Sequence, residues 1–452
     1  MKEVNPGIFR DYDIRGLYPR EIDASIAYAV AQSYAKLFRP KEVVLGSDVR
    51  LSSPELAKAA ERGFCDAGVD VIDIGVVTTD MLYFTVAYYN LPGGITITGS
   101  HNPKEYNGIK LVKEKAFPVS SGSGIEELRD LVVSGYKTSA KTRGRVIKKE
   151  IKSDYIKHIL SYIGRDKIKP FKVVVNPNYG AGGEIIEAIG KKLGIELIKL
   201  NFEPNGAFPV PEGRPDPLIP ANADKVSQKI REVKADFGVS WDSDADRCFF
   251  INESGDLENG YYTTAILADY LLRDGNGGKV VYEPRLTWAI IDYVQKAGGV
   301  AILSKAGHAN MKKTMIKEDA LFGGEMSAHY YFKNSFYVDN GMVPFVLMLE
   351  MLSESDKKIS QIYAPLHKKY YISGEINFEV KKAEDLFREV EEKYSDAKIN
   401  KIDGVSVEYN GWRANIRSSN TEPLVRLNIE AHDQATVDSK VEEFKEIIKK
   451  YQ

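Results

Sequence analysis

Residues 42–74 read EVVLGSDVRLSSPELAKAAERGFCDAGVDVIDI. The apolar run at Val43–Leu45 predicts a short strand, the polar residues after it a loop, and Pro54–Ala67 an amphipathic helix. Gly68 then closes the helix, and Val69–Ile74 begins a second strand. The same order returns twice. Lys172–Val175 leads through a helix near Ala181–Leu193 and Gly194 to Ile195–Leu200. Lys279–Tyr282 leads through a helix near Leu286–Lys296 and Gly298-Gly299 to Val300–Leu303. Each segment reads as a βαβ crossover, so its strands belong to mostly parallel sheets covered by helices on both faces. Three related α/β domains in tandem are expected.

Beyond residue 370 the pattern changes. Strands are expected at Glu375–Val380, Val405–Tyr409, Trp412–Ile416 and Val425–Ile429, with helices at Ala383–Tyr394 and about Gln434–Tyr451. That is a smaller α+β domain. The domains are expected at residues 1–148, 149–253, 254–370 and 371–452.

Composition narrows the function. At 452 residues the chain is long enough for several cores, and its formal charge of −2 provides no global field toward nucleic acid or membrane. Any anion site must be built locally. Two cysteines, Cys65 and Cys248, make neither a disulfide framework nor a thiolate metal site. Met1–Pro6 lacks the apolar core of a signal peptide, and the greasiest run, Met342–Leu352, is short and contains Glu350. A cytoplasmic protein is expected.

Five stretches carry chemistry. In Gly94–Leu111, GITITGSHNPKEYNGIKL, a strand runs into a small polar turn that holds Ser100 on tight backbone. A second turn is expected at Asn107-Gly108, with Lys110 beyond it. The functional reading is a serine that is itself modified or attacked; the other is an ordinary surface turn. Asp242-Ser-Asp-Ala-Asp-Arg247 lies between the apolar runs Phe237–Trp241 and Cys248–Ile251. Three carboxylates there would repel one another unless a divalent cation sat among them, and oxygen donors favour Mg²⁺. An EF-hand is excluded because Arg247 stands where its turn glycine belongs.

Phe9–Gly16 gathers Arg10 and Arg15 around Tyr12, a phosphate-recognition set or an ion-pair knot. Gly323–His329 carries a carboxylate, a hydroxyl and an imidazole suited to sugar hydroxyls. Lys305-Ala-Gly-His308 follows the third repeat, where parallel sheets bind ligands. Arg417-Ser-Ser-Asn-Thr421 with Arg426 concentrates guanidinium and hydroxyl groups, as a phosphate dianion requires. With no nucleotide loop in the chain, these groups together indicate phosphoryl transfer in which Ser100 is the carrier.

The ordered set FRDYDIRG, TGSHNP, DSDADR, GEMSAH and RSSNTEP, spanning Phe9 to Arg426, resembles the α-D-phosphohexomutase family. The resemblance implies four domains around a central cleft. By motif position it implies phosphoserine at Ser100, and Mg²⁺ held by Ser100, Asp242, Asp244 and Asp246. Arg15, Lys110 and Arg247 would surround the transferring group, while Glu325 and Ser327 would read sugar hydroxyls. Arg417, Ser419, Asn420, Thr421 and Arg426 would grip the other phosphate, with Tyr12, Arg285 and Lys305 as further substrate contacts. His101, His308 and Lys110 are the candidates for proton transfer.

The implied reaction interconverts hexose 1-phosphate and 6-phosphate through a hexose 1,6-bisphosphate that turns end for end. Met326 and the FRxYDIRG form resemble the phosphomannomutase/phosphoglucomutase group, acting on glucose, mannose or both. A phosphoglucosamine mutase and a Mg²⁺-dependent sugar phosphatase are the alternatives. The implied partner is a phosphorylated hexose, met by a monomer or small homo-oligomer. Three positions depart from the family's usual pattern: Gly99 for Ala, Ala328 for Gly, and Arg285 for Lys.

Overall fold

The computed structural model describes residues 4–164, 168–273, 275, 277–418 and 424–452. Each of the three repeats forms a crossover: Glu42–Ser47, Ser53–Asp66 and Asp70–Val76; Lys172–Asn176, Gly183–Leu193 and Glu196–Lys199; Lys279–Tyr282, Trp288–Lys296 and Val300–Leu303. In every case the two strands pair in parallel. The closing glycines Gly68, Gly194 and Gly298 have φ of +82°, +70° and +76°. A side chain there would cost about 1 kcal/mol, so the glycines set where each helix stops.

The chain packs into two compact units, residues 1–258 with 334–359, and residues 259–333 with 360–452. The first unit holds two sheets. One runs Ile14–Leu17, Tyr106–Lys113, Gly93–Ile97, Glu42–Ser47, Asp70–Val76, Val146–Lys148 in spatial order. Its first two pairings are antiparallel and the rest parallel. The other runs Cys248–Ile251, Phe237–Trp241, Lys172–Asn176, Glu196–Lys199, and its antiparallel hairpin carries the acidic loop. The helix Met342–Ser355 belongs to this unit. Its apolar face is buried, the Trp241 indole N–H donates to the Gly341 carbonyl at 2.8 Å, and Glu350 accepts the Gly164 N–H at 2.7 Å. Among the described residues no helix is long and apolar enough to cross a membrane.

The turn expected at Asn107-Gly108 does not exist. Both residues lie within the strand Tyr106–Lys113, with Asn107 opposite Gly16 and Gly108 opposite Arg15. Close approach explains the glycine: a Cβ on Gly108 would stand 2.3 Å from the Ile14 carbonyl oxygen. Asn107 is fully buried and donates to the hydroxyls of Ser52 and Ser53. The pair that reads as a turn serves strand packing instead.

In the second unit, Val300–Leu303, Lys279–Tyr282, Phe322–Gly324 and Tyr330–Phe332 lie side by side, the last pairing antiparallel. The C-terminal domain is an antiparallel sheet centred on Trp412–Ser418 and Leu424–Ala431. The helices Ala383–Lys393 and Gln434–Ile448 cover it, burying Leu386, Val390, Phe444 and Ile448 against its apolar side chains. Each such side chain contributes roughly 1.5–3 kcal/mol.

Candidate active site

Ser100 sits where the strand Gly93–Ile97 has ended, with φ of +46°, a backbone that side-chain-bearing residues avoid. Several bonds hold it there. Its N–H donates to Thr98 Oγ1 at 2.9 Å, and its carbonyl accepts from Ser243 Oγ at 2.8 Å and Arg50 Nη2 at 2.5 Å. The Arg50 guanidinium also donates to the carbonyls of Asn102 (2.7 Å), Pro103 (2.8 Å) and Tyr106 (2.9 Å). Its Nε lies 3.2 Å from Asp48, whose other contacts include the Gly99 N–H. A Cβ on Gly99 would stand 2.6 Å from Arg50 Nε. The residue before the serine is therefore glycine so that this brace can pass beneath the loop.

The Ser100 hydroxyl donates to Asp242 Oδ2 at 3.2 Å and lies 3.1 Å from His101 Nδ1. Asp242, Asp244 and Asp246 are all buried, and each offers an oxygen within 4.8 Å of the others. At that spacing each ionised pair repels by roughly 3 kcal/mol at an effective dielectric near 20. Burial, with Asp246 and Asp244 beside it, pushes the Asp242 carboxyl well above the usual range against the pull of Arg247. Lys110 donates to Asp244 at 2.8 Å and Asp246 at 2.5 Å. Burial opposes the charge on Lys110, but those two carboxylates hold its ammonium well above the ordinary lysine value. Asp244 Oδ1 is buried and has no hydrogen-bond partner. Buried oxygen-only donors with an orphaned carboxylate oxygen fit a hard divalent cation such as Mg²⁺.

Two arginines lie beside Ser100 or its carboxylate cluster, each with a nitrogen that has no hydrogen-bond partner. Arg247 is buried, with Nε 3.0 Å from Asp242 and Nη1 3.5 Å from Asp216, and its Nη2 has no hydrogen-bond partner. Arg15 donates to the Gly99 carbonyl at 3.0 Å and to Asn102 and Asp13, leaving Nε unpartnered. Tyr12 is half-buried just before the strand that carries Arg15. Burial, then the cations Arg247 and Arg15, hold the His101 imidazole well below its ordinary pKa.

In the second unit, Glu325 is buried and accepts from the Gly307 N–H (2.8 Å) and the Tyr331 hydroxyl (2.6 Å). Its carboxyl is held low, against burial, by His329 and Arg285. Ser327 Oγ lies 2.9 Å from His329 Nδ1. Gly307 precedes the helix His308–Glu318, so that helix starts beside the Glu325 carboxylate, while Lys305 is exposed. Arg417 and Arg426 are direct cross-strand partners. Arg285 joins Glu283 at 2.7 Å and Glu375 at 3.1 Å, and Arg426 joins Glu375 at 3.3 Å. Ser419, Asn420 and Thr421 lie outside the described residues.

Sequence reasoning missed Arg50, Asp48, Thr79, Glu283 and Glu375. Thr79, at the start of the helix Thr79–Tyr88, donates to Asp244 Oδ2 at 2.6 Å and accepts from Lys110 at 3.3 Å. The only available signal was polar or charged residues at the ends of expected strands and helices.

Four family models match in order along the chain, each described as a phosphoglucomutase/phosphomannomutase domain: domain I at residues 6–134, domain II at 153–255, domain III at 259–370 and the C-terminal domain at 375–447. A phosphomannomutase of Vibrio cholerae is 42% identical over 464 aligned positions, covering 100% of this chain and 99% of the relative. A protein of Xanthomonas campestris named phosphohexose mutases is 40% identical, covering 98% and 99%. Among solved structures, a phosphoglucomutase/phosphomannomutase family protein of Burkholderia thailandensis superposes with a TM-score of 0.89 at 29% identity, covering 99% of this chain and 98% of that one. With three α/β domains followed by an antiparallel C-terminal domain, matched in order along the chain, the chain belongs to the phosphoglucomutase/phosphomannomutase family of mutase enzymes.

Proposed function

We propose that the protein interconverts hexose 1-phosphate and hexose 6-phosphate, with Ser100 carrying the phosphoryl group between turnovers. The observation that carries this reading is the Ser100 hydroxyl, 3.2 Å from Asp242 in a buried three-carboxylate cluster and flanked by guanidinium groups with unused donors. The bond from phosphorus to Ser100 Oγ breaks as a bond to the free sugar hydroxyl forms, giving hexose 1,6-bisphosphate. The intermediate turns end for end, and Ser100 Oγ takes back the other phosphoryl group.

Asp242, Asp244 and Asp246, with the Ser100 phosphate, would hold Mg²⁺, which neutralises phosphoryl oxygens when bound. Arg247 and Arg15 supply donors to the same oxygens, and electrostatic stabilisation of this kind dominates phosphoryl transfer. Lys110, held as an ammonium by Asp244 and Asp246, acts as a cation. That leaves the imidazoles of His101 and His308 to take and return the sugar proton. Glu325 and Ser327 read sugar hydroxyls; Arg417, Arg426 and Arg285, with Ser419, Asn420 and Thr421, bind the non-reacting phosphate. The relatives' names, phosphomannomutase above all, support mannose phosphate as a substrate alongside glucose phosphate.

A coupled assay on mannose 1-phosphate and glucose 1-phosphate, with Mg²⁺ and a trace of glucose 1,6-bisphosphate, tests the reading. Isomerisation is expected from the wild type and at least a thousandfold less from Ser100→Ala. Full activity in that variant would exclude the phosphoserine route, and steady phosphate release without isomerisation would make the enzyme a phosphatase.

A further inference from the structure

Glu375 stands directly before the strand Ile376–Glu379, which pairs with Leu424–Ala431 and sets Asn377 opposite Arg426. Its carboxylate lies among guanidinium groups. One oxygen is 3.1 Å from Arg285 Nη1 and the other 3.3 Å from Arg426 Nη1. Arg417, the cross-strand partner of Arg426, adds a third cation, and its own Nε is buried without a hydrogen-bond partner. Burial works against the charge on Glu375, yet Arg285, Arg426 and Arg417 hold its carboxyl below the usual range.

The Arg285 contact is a single oxygen on a single guanidinium nitrogen, not the two-pronged fork that carboxylates and arginines form when built for each other. Two of the arginines also have a separate counterion: Arg285 has Glu283 at 2.7 Å, and Arg417 has Asp403 at 3.2 Å. Glu375 is thus the shared anion of the cluster, bridging two cations with one charge. A phosphate dianion offers more charge and a third oxygen to the same donors. Glutamate also has the means to leave. Its backbone is pinned by the sheet on one side and by Gly374, whose carbonyl accepts from Asn428 at 3.1 Å, on the other. Its side chain retains about a fifth of its exposure.

We propose that Glu375 is a placeholder for the substrate's non-reacting phosphate, seated between Arg285 and Arg426 and displaced when that phosphate binds. This rests on the reading of Arg417 and Arg426 as the phosphate clamp. The consequence is kinetic as well as energetic. A bisphosphate intermediate must let go of the clamp in order to turn, and a competing anion tethered at the site lowers the hold on each phosphate and refills the space it leaves. Glu375 tunes the clamp for release.

Glu375→Gln keeps the shape and removes the charge. Inorganic phosphate, measured as a competitive inhibitor, is expected to bind at least threefold more tightly to this variant. KM for hexose 1-phosphate should fall in step, and kcat should fall because release slows. Glu375→Asp keeps the charge but withdraws it by one methylene, and should lie between the two; it also provides the comparison if Glu375→Gln does not fold. Unchanged or weaker phosphate binding in these variants would overturn the proposal and make Glu375 a positioning group for the arginines. Arg417→Ala separates the two levels. If it fails to weaken phosphate binding about tenfold, the clamp assignment itself is wrong. If it does weaken binding while Glu375→Gln does not tighten it, the placeholder alone fails.

Discussion

Replacing Arg50 by lysine tests whether Ser100, the proposed phosphoryl carrier, depends on a residue that never touches substrate in that scheme. Arg50 is 1% exposed and donates to the carbonyls of Ser100, Asn102, Pro103 and Tyr106 while pairing with Asp48. Lysine keeps the charge beside Asp48, so the buried carboxylate is not abandoned. Its single ammonium cannot reproduce the planar fork that meets four carbonyls at once. The Ser100 carbonyl retains Ser243 Oγ; those of Asn102, Pro103 and Tyr106 lose their Arg50 donors. At ~1 kcal/mol for each hydrogen bond lost and partial recovery by the ammonium, the expected loss of stability is about 1–3 kcal/mol.

The effect on catalysis should exceed that. Ser100 is held at φ of +46°, a conformation that relaxes once its surroundings no longer impose it. A displacement of about 1 Å at a reacting group costs on the order of a hundredfold in rate. The expected phenotype is therefore a kcat lowered ten- to a hundredfold with KM nearly unchanged, and slower formation of phosphoserine from glucose 1,6-bisphosphate by intact-mass analysis. Thermal unfolding monitored in parallel gives the stability term. A variant that is destabilised by the expected amount yet keeps wild-type kcat and phosphorylation rate would refute the brace as a positioning device and leave Arg50 a packing residue.

Two further outcomes follow from buried and strained groups. Burial lifts the Asp80 carboxyl from 3.8 to about 7, even though Thr78 and Tyr155 donate to it. The folded state thus favours the protonated acid: its contribution is complete below pH 3.8 and is lost as pH rises through 7, an amount of ~4 kcal/mol. Asp80→Asn should accordingly gain stability relative to wild type between pH 4 and 7 and hold a constant advantage above pH 8; denaturant titrations showing a pH-independent difference would contradict this. Ala328 is fully buried at φ of +63°. Ala328→Gly relieves roughly 1–2 kcal/mol of left-handed strain but gives up about 0.8 kcal/mol of methyl burial and about 0.5–1 kcal/mol to the looser unfolded chain, so its melting temperature should stay within a few degrees of wild type. A large loss would show that the methyl shapes the loop at residues 325–329.

What the chain disclosed in advance was local. A strand, an amphipathic helix and a closing glycine are decided within about 35 residues, and the three repeats fold where their periodicity put them. The acidic loop was legible for a related reason: three aspartates between apolar runs leave few physical options, and all three are buried. The expected turn at Asn107-Gly108 failed because its glycine answers to Ile14 across the sheet and not to its neighbours in sequence.

The unread residues share that non-local character. Arg50 looks like one more charge in a polar loop until residues 100–106 arrive beneath its guanidinium. Thr79 is an unremarkable helix start until Asp244, 165 positions later, accepts its hydroxyl. Residues 334–359 pack with the first unit; an apolar helix announces that it will be buried but not against what. Glu375 is the sharpest instance, because its meaning depends on cations contributed by three separate stretches of chain. Side chains that carry chemistry cluster in recognisable motifs because each motif is one loop. Those that hold the motifs in place are chosen by partners elsewhere, and only the fold reveals them.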